Sequence, residues 1–227
     1  LTIPAVALRG MTILPGIVAH FDISRDKSLR AVEEAMKGDQ KLFIVTQKDT
    51  EKEDPQGEDL YEVGLLAVVR QVVKLQKNIM RVLIEGIGRA EIYEYTQTAD
   101  YMQARVIVYD QEDDEQLPEQ AKSAMLLSVQ ETFVHGKIGQ DVMRQVQEET
   151  DLLKLLDYVG NSLVISYKKK QKLLEAVTLT ARYESVLSSL LQETEILALK
   201  RDFQKKVQEH VDKNQKDYLL REQMQVI

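Results

Sequence analysis

The sequence predicts an α+β protein, a mostly antiparallel sheet or small barrel with one packed helix, followed by a helical bundle that ends in a long projecting helix. Three observations predict it. Up to about residue 110, short runs rich in Val, Ile and Tyr lie between turn residues. After Pro118 the apolar residues recur every three or four positions. From Asn161 to Ile227 there is neither glycine nor proline, and the last part of that run is highly charged. The expected divisions are a β lobe over 1–112, a helical lobe over 113–180 and a long helix over 181–227.

In the β lobe, Lys41 to Thr46, Glu62 to Leu75, Met80 to Tyr95 and Gln103 to Tyr109 read as strands. Two of these runs meet at Gln76-Lys77-Asn78, as in a hairpin, and Gly86 and Gly88 mark a bulge or bend in the second. A single helix interrupts the strands. Ser24 or Asp26 is placed to cap it, Leu29, Val32 and Met36 share one face, and Gly38 suits a left-handed stop. Gln47 to Asp59 is polar and acidic and contains Pro55 and Gly57, as expected of a surface loop.

The acidic run Asp110 to Gln116 ahead of Pro118 marks the boundary between lobes. Helices are expected from Pro118 to His135, stopped by Gly136, then from Asp141 to Glu148. In the next helix Thr150 is the expected cap of a stripe formed by Leu152, Leu155, Leu156, Val159 and Leu163. A short helix follows over Tyr167 to Ala176, with Ser166 as its cap. From about Thr180 one helix begins broadly apolar at Tyr183, Val186, Leu187, Leu190 and Leu191. It then narrows to a seam of Ile196, Leu199, Phe203, Val207 and Val211 on a charged surface. A buried root and a projecting, self-pairing shaft are expected. The helical pattern has no stop signal, so the chain reads as the front of something longer.

Composition excludes several classes of function. Without cysteine there are no disulfides, thiolate metal sites or cysteine nucleophiles, and a reducing compartment fits. Apolar runs such as Leu65 to Val69 are too short for a membrane span, so a cytoplasmic protein with no membrane partner is expected. A net charge of -7 opposes general binding to nucleic acid, leaving Lys168 to Lys172 and the Lys-rich shaft as local candidates for a minor contact.

No catalytic or metal residues emerge. His20, His135 and His210 stand singly, in an expected turn, a helix end and the shaft. Glu112 to Glu115 lacks the alternating ligands and glycine of a calcium loop. Gly86-Ile87-Gly88 lacks the third glycine and helix of a dinucleotide site, and Gly136-Lys137 lacks the first glycine of a P-loop. Ser166-x-x-Lys169 reads as a helix cap followed by solvated cations. Binding surface remains. Met11, Ile13, Leu14, Pro15 and Ile17 are apolar on a loop framed by Gly10 and Gly16, and they are candidates to hold a partner or, alternatively, to seal the barrel.

Motifs in order along the chain carry a family resemblance. They are Ile3 to Gly10, Leu14-Pro15-Gly16, Asp22 to Ser28, Asp59 to Gly64, Arg81 to Gly86, Lys213-Asn214-Gln215, Tyr218 and Leu220 to Met224. Together they resemble the N-terminal, substrate-recognition region of bacterial Lon, the ATP-dependent serine protease (endopeptidase La). Local departures are Ala7 and His20 where relatives often carry proline, Leu219 where a second tyrosine is usual, and Ser166-Tyr167 at a more apolar helix start.

The resemblance implies a PUA-like pseudobarrel, a helical bundle and a long helix. It implies a parent hexamer that degrades misfolded, damaged and short-lived regulatory proteins. ATP, Mg and the Ser-Lys dyad would belong to modules beyond Ile227, so this segment would have no cofactor and no catalysis of its own. Its implied work is capture of unfolded or damaged substrates, together with support of the homo-oligomer.

Overall fold

The computed structural model describes residues 1–110, 118–133 and 137–225. The expected lobe boundary at 112/113, the acidic run beyond Asp110 and the Gly136 stop lie outside the described residues. Six strands form one sheet: β1 (Thr2–Leu8), β2 (Val18–Ile23), β3 (Lys41–Thr46), β4 (Val63–Gln76), β5 (Ile79–Gln97) and β6 (Met102–Val108). They follow the order β2-β5-β4-β3-β1-β6, and a further β5–β6 pairing closes β5, β4, β3, β1 and β6 into a ring. Only β1 and β3 run parallel.

Long strand β5 makes this closure possible, since on its side away from β4 its first half pairs with β2 and its second with β6. The expected bulge is present: Leu66 faces Gly88 and Ala67 faces Gly86, leaving Ile87 as the extra residue. Side chains of alternating parity build two apolar clusters in this lobe. One contains Val6, Phe21, Leu65 and Ile84, and the other Ile3, Phe43, Leu60 and Val106.

Helix α1 (Asp26–Lys37) packs beside β1, buries Ser28, Ala31, Val32 and Ala35, and leaves Met36 exposed. Of the expected face, Val32 is in the core and Leu29 packs against it, but Met36 is not covered, and small Ser28, Ala31 and Ala35 let the helix approach the strand closely. Its N-cap is Arg25 and no side chain caps it, so neither Ser24 nor Asp26 has that role. Gly38 is not left-handed (φ -103), and Gln40 takes that conformation instead (φ 64). His20 lies within β2 rather than in a turn.

The helices are α2 (Glu119–Phe133), α3 (Lys137–Glu148), α4 (Leu152–Ser162), α5 (Tyr167–Glu175) and α6 (Leu179–Gln225). Asp151, and not Thr150, caps α4, its side chain accepting from the Leu153 amide, while Ser166 caps α5 by accepting from Lys169. The stripe of α4 is buried through Leu155, Leu156 and Val159, with Leu163 just past its end, and it shares a core with Met125, Val146, Leu173 and Val186.

Helix α6 is continuous for 47 residues. Its root buries Leu179, Arg182, Val186 and Leu190, so the expected division at 180/181 falls inside one packed helix, and Leu191 is exposed. From Glu195 to Gln225 every residue is exposed. At 1.5 Å per residue this shaft projects about 46 Å.

Gly64 shows how tightly β3 and β4 approach. A Cβ there would lie 2.5 Å from the Ile44 carbonyl oxygen and 2.6 Å from the Phe43 ring. Gly64→Ala is expected to destabilise the β lobe by about 1–3 kcal/mol, because backbone must move to admit the methyl group. Thermal denaturation followed by circular dichroism checks this.

Candidate functional site

Residues Gly10 to Ile17 leave the end of β1 and cross towards α4 before entering β2. Gly10 (φ 67) and Gly16 (φ 88) hold left-handed turns at the ends of this loop. Gly16 donates to the Gly86 carbonyl and Gly86 donates to the Ile17 carbonyl, each at 3.0 Å. A Cβ on Gly86 would meet Pro15 and Leu65, so the bulge glycine also admits the loop.

The loop is not an exposed apolar patch. Ile13 is 6% exposed and Leu14 is fully buried, Pro15 is buried, Ile17 is half-buried, and only Met11 is open to solvent at 41%. The expectation that this loop offers Ile13, Leu14 and Pro15 to a partner is therefore corrected: those side chains seal the molecule. Ile13 enters the barrel core, but Leu14 enters the core of the helical lobe.

Leu14 is held there by matched groups. Its amide donates to Asn161 Oδ1 and its carbonyl accepts from Asn161 Nδ2, both at 3.1 Å. Gly160 makes room, since a Cβ at that position would lie 2.6 Å from Leu14 Cδ1. Thr12 Oγ1 donates to the Tyr167 carbonyl, Tyr167 donates its hydroxyl to the Lys48 carbonyl, and Gln171 Nε2 donates to the Val63 carbonyl.

Beside this loop lies a buried ionic junction that sequence reading missed. Arg89 of β5 donates Nη1 and Nη2 to Asp157 of α4 at 2.8 and 2.7 Å, and it reaches the Leu174 and Leu173 carbonyls at 2.8 and 3.2 Å. Arg182 of α6 approaches Asp157 at 3.5 Å and donates to the Ala176 and Val177 carbonyls. Two cations face one carboxylate. The excess positive charge points at the last carbonyls of α5 and those just beyond, where unpaired acceptors and the helix dipole supply negative potential. The interior placement of Arg89 in a β strand was the signal available, since an Arg flanked by Gly88 and Ala90 stands where the strand pattern wants an apolar residue.

Two surface features flank this joint. A cleft of about 730 Å³ is bordered by Ala7, Leu8 and Arg9 at the end of β1, by His20 to Ser24 along β2, and by Met11, Arg25, Ser28, Glu53 and Arg81. In it Arg81 is tied to Asp22 at 2.8 and 3.1 Å, which holds the Asp22 carboxyl below the usual range. Arg9 and Arg25 instead both donate Nη2 to the Lys52 carbonyl, at 3.3 and 3.5 Å. Burial, and then the neighbouring Arg9, push the Arg25 guanidinium below its ordinary value.

The second feature is the outer face of β2, β5 and β4, where His20, Leu83 and Gln71 form one cross-strand row and Asp22, Arg81 and Val73 the next. Exposed Val18 and Val73 stand on this face among the polar side chains of His20, Asp22, Gln71 and Arg81, and exposed Leu75 follows on β4. Along the shaft, the seam residues Ile196, Leu199, Phe203, Val207 and Val211 are all exposed, from 37% for Ile196 to 69% for Leu199 and Phe203. Among the described residues no cluster of three or more His, Asp or Glu is arranged to hold a metal ion, and no helix is long and apolar enough to cross a membrane.

The geometry defines a two-lobed domain whose lobes are locked together and whose outer surfaces are open. A sequence model of the family described as the ATP-dependent protease La (LON) substrate-binding domain matches residues 2–192. Curated relatives include the Lon protease of Lachnoclostridium phytofermentans, 36% identical over 99% of this chain and 28% of the relative's length, and that of Brevibacillus choshinensis, 35% identical over 99% and 29%. Lon protease 1 of Bacillus subtilis is 30% identical over 100% of this chain and 30% of its own length.

The fold is similar to the N-terminal domain of Mycobacterium avium complex Lon protease, with a TM-score of 0.67 at 17% identity, covering 84% of this chain and 98% of that one. The corresponding domain from Xanthomonas campestris gives 0.59 at 12% identity, covering 83% and 98%. The chain belongs to the Lon protease family and carries its substrate-binding domain. It spans less than a third of the length of these curated relatives.

Arg89→Met is expected to cost about 3–5 kcal/mol, because it strips Asp157 of its bidentate partner inside the protein. Arg81→Met, which breaks the exposed pair with Asp22, should leave the unfolding midpoint nearly unchanged. Urea denaturation of the two variants side by side measures the contrast.

Proposed function

We propose that this chain captures unfolded or damaged proteins for an ATP-dependent protease, without itself hydrolysing ATP or cutting peptides. The observation that carries this reading is the set of exposed apolar side chains Val18, Val73 and Leu75 on the outer side of the sheet, in a domain that belongs to a substrate-binding family. Unfolded chains expose apolar segments that folded proteins hide, so exposed apolar side chains on a rigid sheet discriminate between them without reading a sequence. ATP and Mg would be used elsewhere in the parent enzyme, in the cytoplasm.

A second role is supported by the shaft. Its apolar seam is exposed along the helix beyond its root, and such a stripe loses its contact with water when two helices pair. The shaft would then help arrange the subunits of a homo-oligomer, a hexamer in the parent. Several capture faces held in one ring would strengthen binding through multivalency.

Two outcomes are expected. A denatured, fluorescently labelled protein should bind the chain in an anisotropy titration, and Val73→Asp with Leu75→Asp should weaken binding about threefold to tenfold, since each removes one apolar contact from a shallow site. Undiminished binding in a folded double variant would move the capture surface elsewhere. In sedimentation velocity at high concentration the chain should self-associate, and Phe203→Asp with Val207→Asp should return it to monomer; a strict wild-type monomer would remove pairing through the shaft alone.

A further inference from the structure

Among the described residues strand β2 pairs with β5 and with no other strand, so one of its edges carries backbone groups outside the sheet ladder. Strand β1 is similar at its far end. It pairs with β6 only over Thr2 to Ala5, and beyond Ala5 its ladder continues on the β3 side alone. The 730 Å³ cleft lies between these two edges.

It meets both strands edge-on, because consecutive residues border it: His20, Phe21, Asp22 and Ile23 on β2, and Ala7 and Leu8 on β1. Successive side chains on a strand point to opposite faces, so a cavity touched by both parities lies beside the strand and not above it. Helix α1 and the loop after β3 limit the cleft through Ser28 and Glu53, leaving a slot between two unpaired strand ends.

The charges at the mouth are unevenly satisfied. Of the two carboxylates bordering the cleft, Asp22 is already held by Arg81, and Glu53 is exposed on the loop at the lip. Asp54, near Arg25, pairs with Lys27 at 3.5 Å. Arg9 and Arg25 donate to the Lys52 carbonyl, and Arg25 also to Gln47 Oε1 at 2.7 Å. Their Nη2 atoms share one acceptor oxygen, so two guanidiniums stand side by side, and neither makes an ion pair among the described residues. Each carries five N–H donors, more than these carbonyl and amide acceptors consume.

We propose that the cleft takes an extended, acidic segment of a protein substrate, which adds as a strand to the open edge of β2 while Arg9 and Arg25 hold its Asp or Glu side chain. Main-chain hydrogen bonds to a strand edge bind any extended sequence, which suits an unfolded chain, and the guanidinium pair adds selection for a carboxylate at one position. Exposed Met11 on the rim supplies an apolar contact beside that position. This inference rests on the capture role proposed above and assigns it a second, backbone-reading site at the strand edge, which adjoins the outer face at His20, Asp22 and Arg81.

The test uses the full chain and a labelled ten-residue Val- and Thr-rich peptide with one central Glu, acetylated and amidated at its ends. Fluorescence anisotropy should show saturable binding, reduced about tenfold or more when the Glu is replaced by Lys or when the protein carries Arg9→Glu. N-methylation of alternate peptide amides should abolish binding in one register and spare it in the other. Arg9 is exposed, so its replacement leaves the core untouched.

Equal binding by both N-methylated series, or by Arg9→Glu protein with an unchanged circular dichroism spectrum, would overturn the proposal. So would equal affinity for a peptide whose sole carboxylate is its free C-terminus. Failure here is distinguishable from failure of the capture role: a denatured protein that still binds equally to wild type and Arg9→Glu keeps the outer face and removes the cleft, whereas no binding of denatured protein to wild type removes the capture role.

Discussion

The bidentate contact between Arg89 and Asp157 is the constraint on which the arrangement of this protein depends. It joins the middle of β5 to the middle of α4, two elements that otherwise belong to separate cores. A charged pair in an interior is costly unless each remaining donor and acceptor is used, and here the last carbonyls of α5 use them. One side-chain cluster thus fixes β5, α4, α5 and, through Arg182, the root of α6. The direction in which the shaft leaves the body follows from this junction.

Leu14 completes the joint from the opposite direction. Arg89 sends charge from the barrel into the helical lobe, and Leu14 sends an apolar side chain the same way into a notch left by Gly160. Asn161 then satisfies the loop backbone that such an insertion would otherwise strand. The two contacts differ in what they specify. Apolar burial tolerates small shifts, whereas a bidentate pair between a planar guanidinium and a carboxylate holds orientation. Together they make the lobes one body, against which exposed faces can be held at set distances from the shaft.

In the proposed capture role, function distributes over the outside of this body. The strands offer two kinds of contact, an outer face with exposed apolar side chains and an open edge, while the shaft offers a stripe. Each such contact would be shallow in isolation, which suits binding and release of chains of many sequences.

Much of the fold was legible in the sequence because it depends on local period. Alternation in Gln103 to Tyr109, the Gly86 and Gly88 interruption, the Ser166 cap and the stripe of α4 report backbone geometry within a few residues. The long final helix was equally plain, since its exposed stretch shows its own periodicity. The candidate loop was misjudged for the opposite reason. Apolar residues between Gly10 and Gly16 announce that something must cover them, but not that the cover is a helix some 150 residues later. Only the tertiary structure decided that Leu14 is interior, that Arg89 meets Asp157, and that β2 keeps an open edge. Each depends on elements distant in the chain arriving at one place, which no local pattern encodes.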